Sequence, residues 1–193
     1  MATDSTGSPD SAGSTDSAGS AGSAGSAGPA GVTGGPASAQ HSLPDSIERS
    51  ISIAAPAERV WALLIRPGWW INDGAIRDHQ IVVERGVASV TDTEYGTFRI
   101  EQVDRRENEY VSYRWISGPD GAQDESDPPA QTLVEFFMSS DGADGEVTVR
   151  VVESGWAAAP ASDRVRSDYR ANEKGWDEEL SAARRHLEAA PTR

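Results

Sequence analysis

Cysteine is absent from all 193 residues, so no disulfide and no thiolate metal site can form. Lysine is nearly absent: Lys174 is the only one, and the remaining basic charge rests on arginine. Residues 1–46 contain no aromatic residue, no Lys and no Arg. They lack the basic start and apolar centre of a secretory signal, so none is expected there. No run in the chain approaches the roughly 20 apolar residues that a membrane span needs. The net charge of −14 leaves no basic face for a nucleic-acid partner. A cytoplasmic protein is the expectation.

What is present divides in two. Residues 1–46 are mostly Ser, Ala, Gly, Thr and Pro, with Ser-Ala-Gly repeated through residues 17–28. Such a stretch cannot bury enough apolar surface to offset its conformational entropy, so it is expected to be a disordered tail. As a coil it would span roughly 40 Å. It holds Asp4, Asp10, Asp16 and Asp45, which leaves −10 on residues 47–193, the expected folded domain. A dispersed acidic surface of that size favours solubility.

Periodicity organises the domain. Over 163–189 the apolar residues Val165, Tyr169, Trp176, Leu180, Ala183 and Leu187 recur at helical spacing, which predicts one amphipathic helix roughly 40 Å long. Ser162 or Asp163 can cap its start; Arg184, Arg185 and His186 suit its negative end. Before it, period-two alternation predicts strands at 47–54, 80–84, 87–93, 95–105, 110–117, 131–139 and 146–154. A short helix after Pro56 carries Val60, Trp61 and Leu64 inward. Trp69-Trp70-Ile71 is expected in a second short helix or tight turn. Consecutive strands joined by tight turns predict an antiparallel meander. Such a sheet, of about seven strands, curved around one long C-terminal helix is a helix-grip α+β fold.

Particular residues strengthen that reading. Ile51-Ser52-Ile53-Ala54-Ala55-Pro56-Ala57-Glu58-Arg59-Val60-Trp61 stands at the front, followed by Pro67 and Trp70. Then come Val134-Glu135-Phe136, Val152-Glu153-Ser154-Gly155-Trp156, and Asn172, Gly175-Trp176 and Leu180. In this order they resemble the START-like (SRPBCC) superfamily, and within it the bacterial branch named for the C-terminal domain of the activator of Hsp90 ATPase. The likeness covers about residues 47–189. It implies a deep pocket between sheet and long helix. It also implies a range of roles: lipid carriers, hormone receptors, aromatic polyketide cyclases and chaperone co-factors.

The candidate ligand-binding residues are Trp70, Phe98, Tyr113, Trp115, Phe136, Tyr169, Asn172 and Trp176. The aromatic ones are expected to point under the sheet, either as plain core or as a cavity lining. Two features tilt the choice to a cavity. Gly175 interrupts a helix interior at a cost of about 1 kcal/mol relative to Ala, so a packing reason is expected. Buried Tyr and Trp also carry polar atoms that need partners. Asn172, one turn before Trp176, adds a polar contact if it faces inward.

Catalysis has little to draw on. Glu135 and Arg114 alternate with inward residues and should face solvent. Glu153, at a strand end beside Gly155, either reaches the pocket mouth or, the favoured expectation, is a solvated charge. His79 and His186 have no Ser, Cys or paired carboxylate at catalytic spacing, and no catalytic residue is assigned. The acidic connection over 118–130 lacks the alternation and closing Glu of a calcium loop. No metal and no cofactor is implied. The leading expectation is a carrier or sensor of a small hydrophobic or aromatic ligand, monomeric or weakly dimeric. The alternatives are a co-factor of an Hsp90-type chaperone and a polyketide cyclase-like or hydrolase-like enzyme.

Overall fold

The computed structural model describes residues 43–116, 128–140 and 146–189. The expected tail, most of the acidic connection and the loop over 141–145 lie outside the described residues. Seven strands form a single antiparallel sheet: β1 (Ser46–Ile53), β2 (Gln80–Glu84), β3 (Val87–Asp92), β4 (Gly96–Arg106), β5 (Tyr110–Ile116), β6 (Gln131–Ser139) and β7 (Val147–Ser154). Their order is β1-β7-β6-β5-β4-β3-β2, so the meander closes with the first strand beside the last. Each strand alternates as its sequence does. In β7, Val147, Val149 and Val151 are buried while Thr148 and Arg150 are not. One irregularity between Gln102 and Asp104 shifts the β4–β5 register.

The long helix α2 (Asp163–Glu188) lies under the sheet as a grip-like fold requires. Ser162 caps it, accepting from the Val165 amide at 3.1 Å. Its buried stripe is Val165, Tyr169, Trp176, Glu179, Leu180, Ala182, Ala183 and Leu187. Arg49, which interrupts the apolar row of β1, reaches across to it. The guanidinium donates to Asp177 at 2.9 Å and to the Glu173 carbonyl at 3.2 Å. At the other end, Glu188 accepts from the Ala54 amide at 2.9 Å.

The short helix α1 (Ala57–Leu64) buries Val60, Trp61, Leu63 and Leu64. The second short helix allowed after it is instead a run of turns over 65–70. Gly68 explains why. Its φ is +71°, and a Cβ there would come 2.9 Å from the Val90 side chain. The chain therefore turns sharply against the sheet and delivers Trp69 and Trp70, 0% and 4% exposed, into the core. A short 3-10 helix, Trp156–Ala158, joins β7 to α2, and Trp156 is buried.

Candidate functional site

Trp70 sits at the centre of an aromatic cluster between sheet and helix. Its ring centroid lies 5.3 Å from Tyr113, 5.4 Å from Phe136, 6.0 Å from Trp115 and 6.1 Å from Trp176. Trp115 and Trp176 meet edge-on at 6.4 Å. These are the tilted and edge-to-face geometries that ring quadrupoles favour, worth about 0.5–1.5 kcal/mol per pair beyond area burial. Four elements meet here: the post-α1 turn brings Trp70, the inner faces of β5 and β6 bring Tyr113, Trp115 and Phe136, and α2 brings Trp176. Tyr113 is fully buried and donates to the Leu64 carbonyl at 3.0 Å, so its hydroxyl ties β5 to the end of α1. Burial pushes that phenol well above the usual tyrosine range.

Behind Trp176 is a buried carboxyl. Glu153 continues the inward row of β7 and is 0% exposed. Trp176 Nε1 donates to it at 2.7 Å, Thr132 Oγ1 at 2.8 Å, and Asn172 Nδ2 at 3.0 and 3.2 Å to its two oxygens. The solvated strand-end charge expected here is therefore a core group. The parity that turned Val147, Val149 and Val151 inward also turned Glu153. Burial raises its pKa, and the donors from Trp176, Thr132 and Asn172 restrain the rise. With both oxygens engaged, Glu153 is suited to hold Asn172 and Trp176 in place.

A second buried carboxyl follows Trp176 by three residues on α2. Glu179, 6% exposed, accepts from Asn72 Nδ2 at 3.0 Å and from the Gly74 amide at 3.2 Å. Burial raises its pKa as well; Asn72 and Gly74 oppose the rise, while Glu178 and Asp73 add to it. Asn72 Oδ1 in turn accepts from the Arg77 amide at 3.0 Å. The turn after Trp70 is thus pinned to α2. Between these two networks is a pocket of about 140 Å3, lined by Trp70, Asn72, Trp115, Asn172, Gly175, Trp176, Glu178 and Glu179. A Cβ placed on Gly175 would meet nothing within 4 Å. The packing reason expected for this glycine is absent; its missing side chain leaves space in the pocket wall.

The structure gathers Trp70, Trp115, Asn172 and Trp176 at the pocket, with Tyr113 and Phe136 packed against Trp70. It does not bring all eight candidates together. Tyr169 instead packs edge-on against Trp156 at 5.3 Å. Phe98 is buried opposite Val90 and makes no ring contact among the described residues. Glu179, Asn72 and Trp69 were not singled out from sequence. Glu179 follows Trp176 by three residues, so helical spacing alone places it on the buried stripe. The resemblance implies a deep cavity; among the described residues the space beside Trp70 and Trp176 is a pocket of about 140 Å3. About 140 Å3 falls below the roughly 300–1,000 Å3 of drug-sized sites.

A separate polar cluster closes the end of β3. Asp92, 4% exposed, accepts from the amides of Glu94 at 2.7 Å and Tyr95 at 2.9 Å. Arg77 and the His79 ring stand 3.7 and 3.5 Å from its other oxygen. Burial favours the neutral acid, but the two amides, His79 and Arg77 together lower its pKa. Burial also depresses the His79 pKa, against the pull of Asp92. Among the described residues, no group of three or more His, Cys, Asp or Glu side chains is arranged to hold a metal ion. No described helix is long and apolar enough to cross a membrane.

No family model matches this chain, and no characterised sequence is detectably similar to it. Solved structures are similar in fold. A protein from Mesorhizobium loti matches 76% of this chain and 99% of its own length, at 17% identity and a TM-score of 0.57. The Aha1 dimer from Colwellia psychrerythraea, a solution structure, matches 76% of this chain and 98% of its own, at 19% identity and 0.52. DynU16, from the dynemicin biosynthetic locus, matches 76% of this chain and 48% of its own length, at 18% identity and 0.53. Together with the seven-stranded sheet and the long C-terminal helix, these likenesses establish a helix-grip α+β fold.

Proposed function

We propose that this chain is a START-like domain that binds a small hydrophobic or aromatic molecule between its sheet and α2, as a carrier or sensor. The observation that carries the reading is the pocket walled by the indoles of Trp70, Trp115 and Trp176, with Asn172 at its edge and a gap at Gly175. Its size suits one ring: an engineered apolar cavity of about 150 Å3 takes up benzene. Affinity would come from apolar burial at about 25 cal/mol per Å2, with indole faces adding ring contacts. Native mass spectrometry of the purified full chain, followed by denaturing extraction, tests this directly. A discrete small-molecule adduct is expected, and Trp115→Ala should lose it. Trp115 makes no hydrogen bond through its indole nitrogen, so that variant tests the pocket wall more than the fold. Retention of the adduct by folded Trp115→Ala would remove the pocket from this place.

A chaperone-linked role is the second reading, supported by the likeness to the Aha1 structure. Stimulation of the ATPase of the cognate Hsp90 is its measurement, and no stimulation removes it.

A further inference from the structure

We infer that the pocket selects a small organic cation: a protonated amine carried on a single ring or a group of similar size. The inference rests on the binding reading above and adds the chemistry of the ligand. Two carboxyl groups, Glu153 and Glu179, are 0% and 6% exposed; Glu153 accepts from Trp176, and Glu179 lines the pocket with it. Neither has a cation among its partners in the described residues. Glu153 is held by Trp176, Thr132 and Asn172, and Glu179 by Asn72 and the Gly74 amide. The charged neighbours that act on Glu179 are Glu178 and Asp73, both acidic. A buried carboxylate is costly unless a counter-charge meets it. Several carboxylates on the surface of this domain do have one: Arg49 meets Asp177, Arg114 meets Glu101, and Lys174 meets Glu178 at 3.1 Å.

The pocket wall presents what a cation uses. None of its eight lining residues is basic, and three are tryptophan, the ring whose face attracts ammonium groups most strongly. Besides the indole N–H groups of Trp70 and Trp115, which have no hydrogen-bond partner among the described residues, it offers acceptors. Asn172 gives its amide N–H to Glu153, and its Oδ1 takes part in no hydrogen bond among the described residues. Glu179 Oε1 and Oε2 each accept a single hydrogen bond, and a carboxylate oxygen has room for a second. An ammonium group placed beside Glu179 would fill that lone pair, reach Asn172 and leave its ring against the indoles. A carboxylate ligand in the same place would face Glu178 and Glu179, of which only Glu178 is met by a base, Lys174, among the described residues.

Benzylamine, benzyl alcohol and benzoate share a ring and differ in charge. Each is titrated into the full chain, with tryptophan emission and thermal midpoint as readouts, in wild type, Glu179→Gln and Gly175→Leu. Benzylamine is expected to bind about tenfold more tightly than benzyl alcohol, and benzoate not to bind. Glu179→Gln keeps the side-chain volume and an oxygen for Asn72, and should bring the amine-to-alcohol ratio close to one. Gly175→Leu fills the gap and should abolish binding of both; the thermal midpoint should not fall, because a Cβ at 175 meets nothing within 4 Å outside its own helix turn and leucine favours the helix over glycine. Equal binding of alcohol and amine, or an amine preference that survives Glu179→Gln, overturns the cation inference and leaves the pocket reading standing. If none of the probes shows binding that Gly175→Leu removes, the pocket reading fails and this inference fails with it.

Discussion

Glu153 and Asp92 are both nearly solvent-free carboxyls on inward rows of the same sheet, yet the protein treats them oppositely. Asp92 is held by its own turn. The amides two and three residues ahead donate to it, and Arg77 and His79 bring positive or protonatable groups close. Its pKa is lowered. Glu153 is held by side chains from elsewhere, Thr132 on β6 and Asn172 and Trp176 on α2, and by no cation. Its pKa is raised. The lesson is one of location. A buried acid that closes a turn is fully satisfied at the surface of the fold. A buried acid that joins sheet to helix, beside a pocket, is kept where the groups it positions matter more than its own solvation.

The contrast can be broken most directly by removing each acid. Glu153→Ala leaves the donors of Thr132, Asn172 and Trp176 unpaired in the core. Each buried orphan costs about 1–3 kcal/mol, so a loss of about 3 kcal/mol or more in urea unfolding is expected. Asp92→Ala frees amides near a turn that water can reach, and about 1–2 kcal/mol is expected. Equal losses would mean that Glu153 is no more embedded than a turn acid.

Glycines give the next largest effect, and again two sites differ in sign. Gly68→Ala forces a Cβ against Val90 at positive φ, and about 1–3 kcal/mol of destabilisation is expected. Gly175→Ala meets nothing and improves helix propensity, so a gain of about 0.5–1 kcal/mol is expected. Thermal midpoints of the two variants should move in opposite directions. A loss at Gly175→Ala would mean that its gap is filled in solution.

The pH dependence is subtler and carries opposite signs. For Glu153, burial raises the folded pKa above the ordinary 4.5, so folding favours the protonated acid. Its contribution is complete below pH 4.5 and is lost as pH rises through the elevated value. For Asp92, burial is outweighed by the Tyr95 and Glu94 amides, His79 and Arg77, and the folded pKa lies below the ordinary 3.8. Its contribution is present above pH 3.8 and is lost as pH falls through the depressed value. The stability difference between wild type and Glu153→Gln should therefore shift against wild type from pH 4.5 towards neutral. The difference from Asp92→Asn should shift against wild type below pH 3.8. Slopes of the same sign for both variants would erase the distinction.

Sequence alone determined the architecture, and tertiary structure decided the site. Strand alternation and the stripe from Val165 to Leu187 are local periodicities, set by which side of a pleat or helix each residue takes. All seven strands and the long helix were therefore legible. So was the aromatic group around Trp70, Trp115 and Trp176. Parity even turned Glu153 inward, but its position at a strand end suggested solvent, because the Thr132, Asn172 and Trp176 donors come from two other elements. Gly175 looked like a packing requirement until the space beside it was seen to be open. Trp70 fell in a segment without periodicity, where the turn at Gly68 sets how deeply a ring enters. How much space a core leaves depends on side chains from several elements meeting at once, and no local spacing along one chain records that meeting.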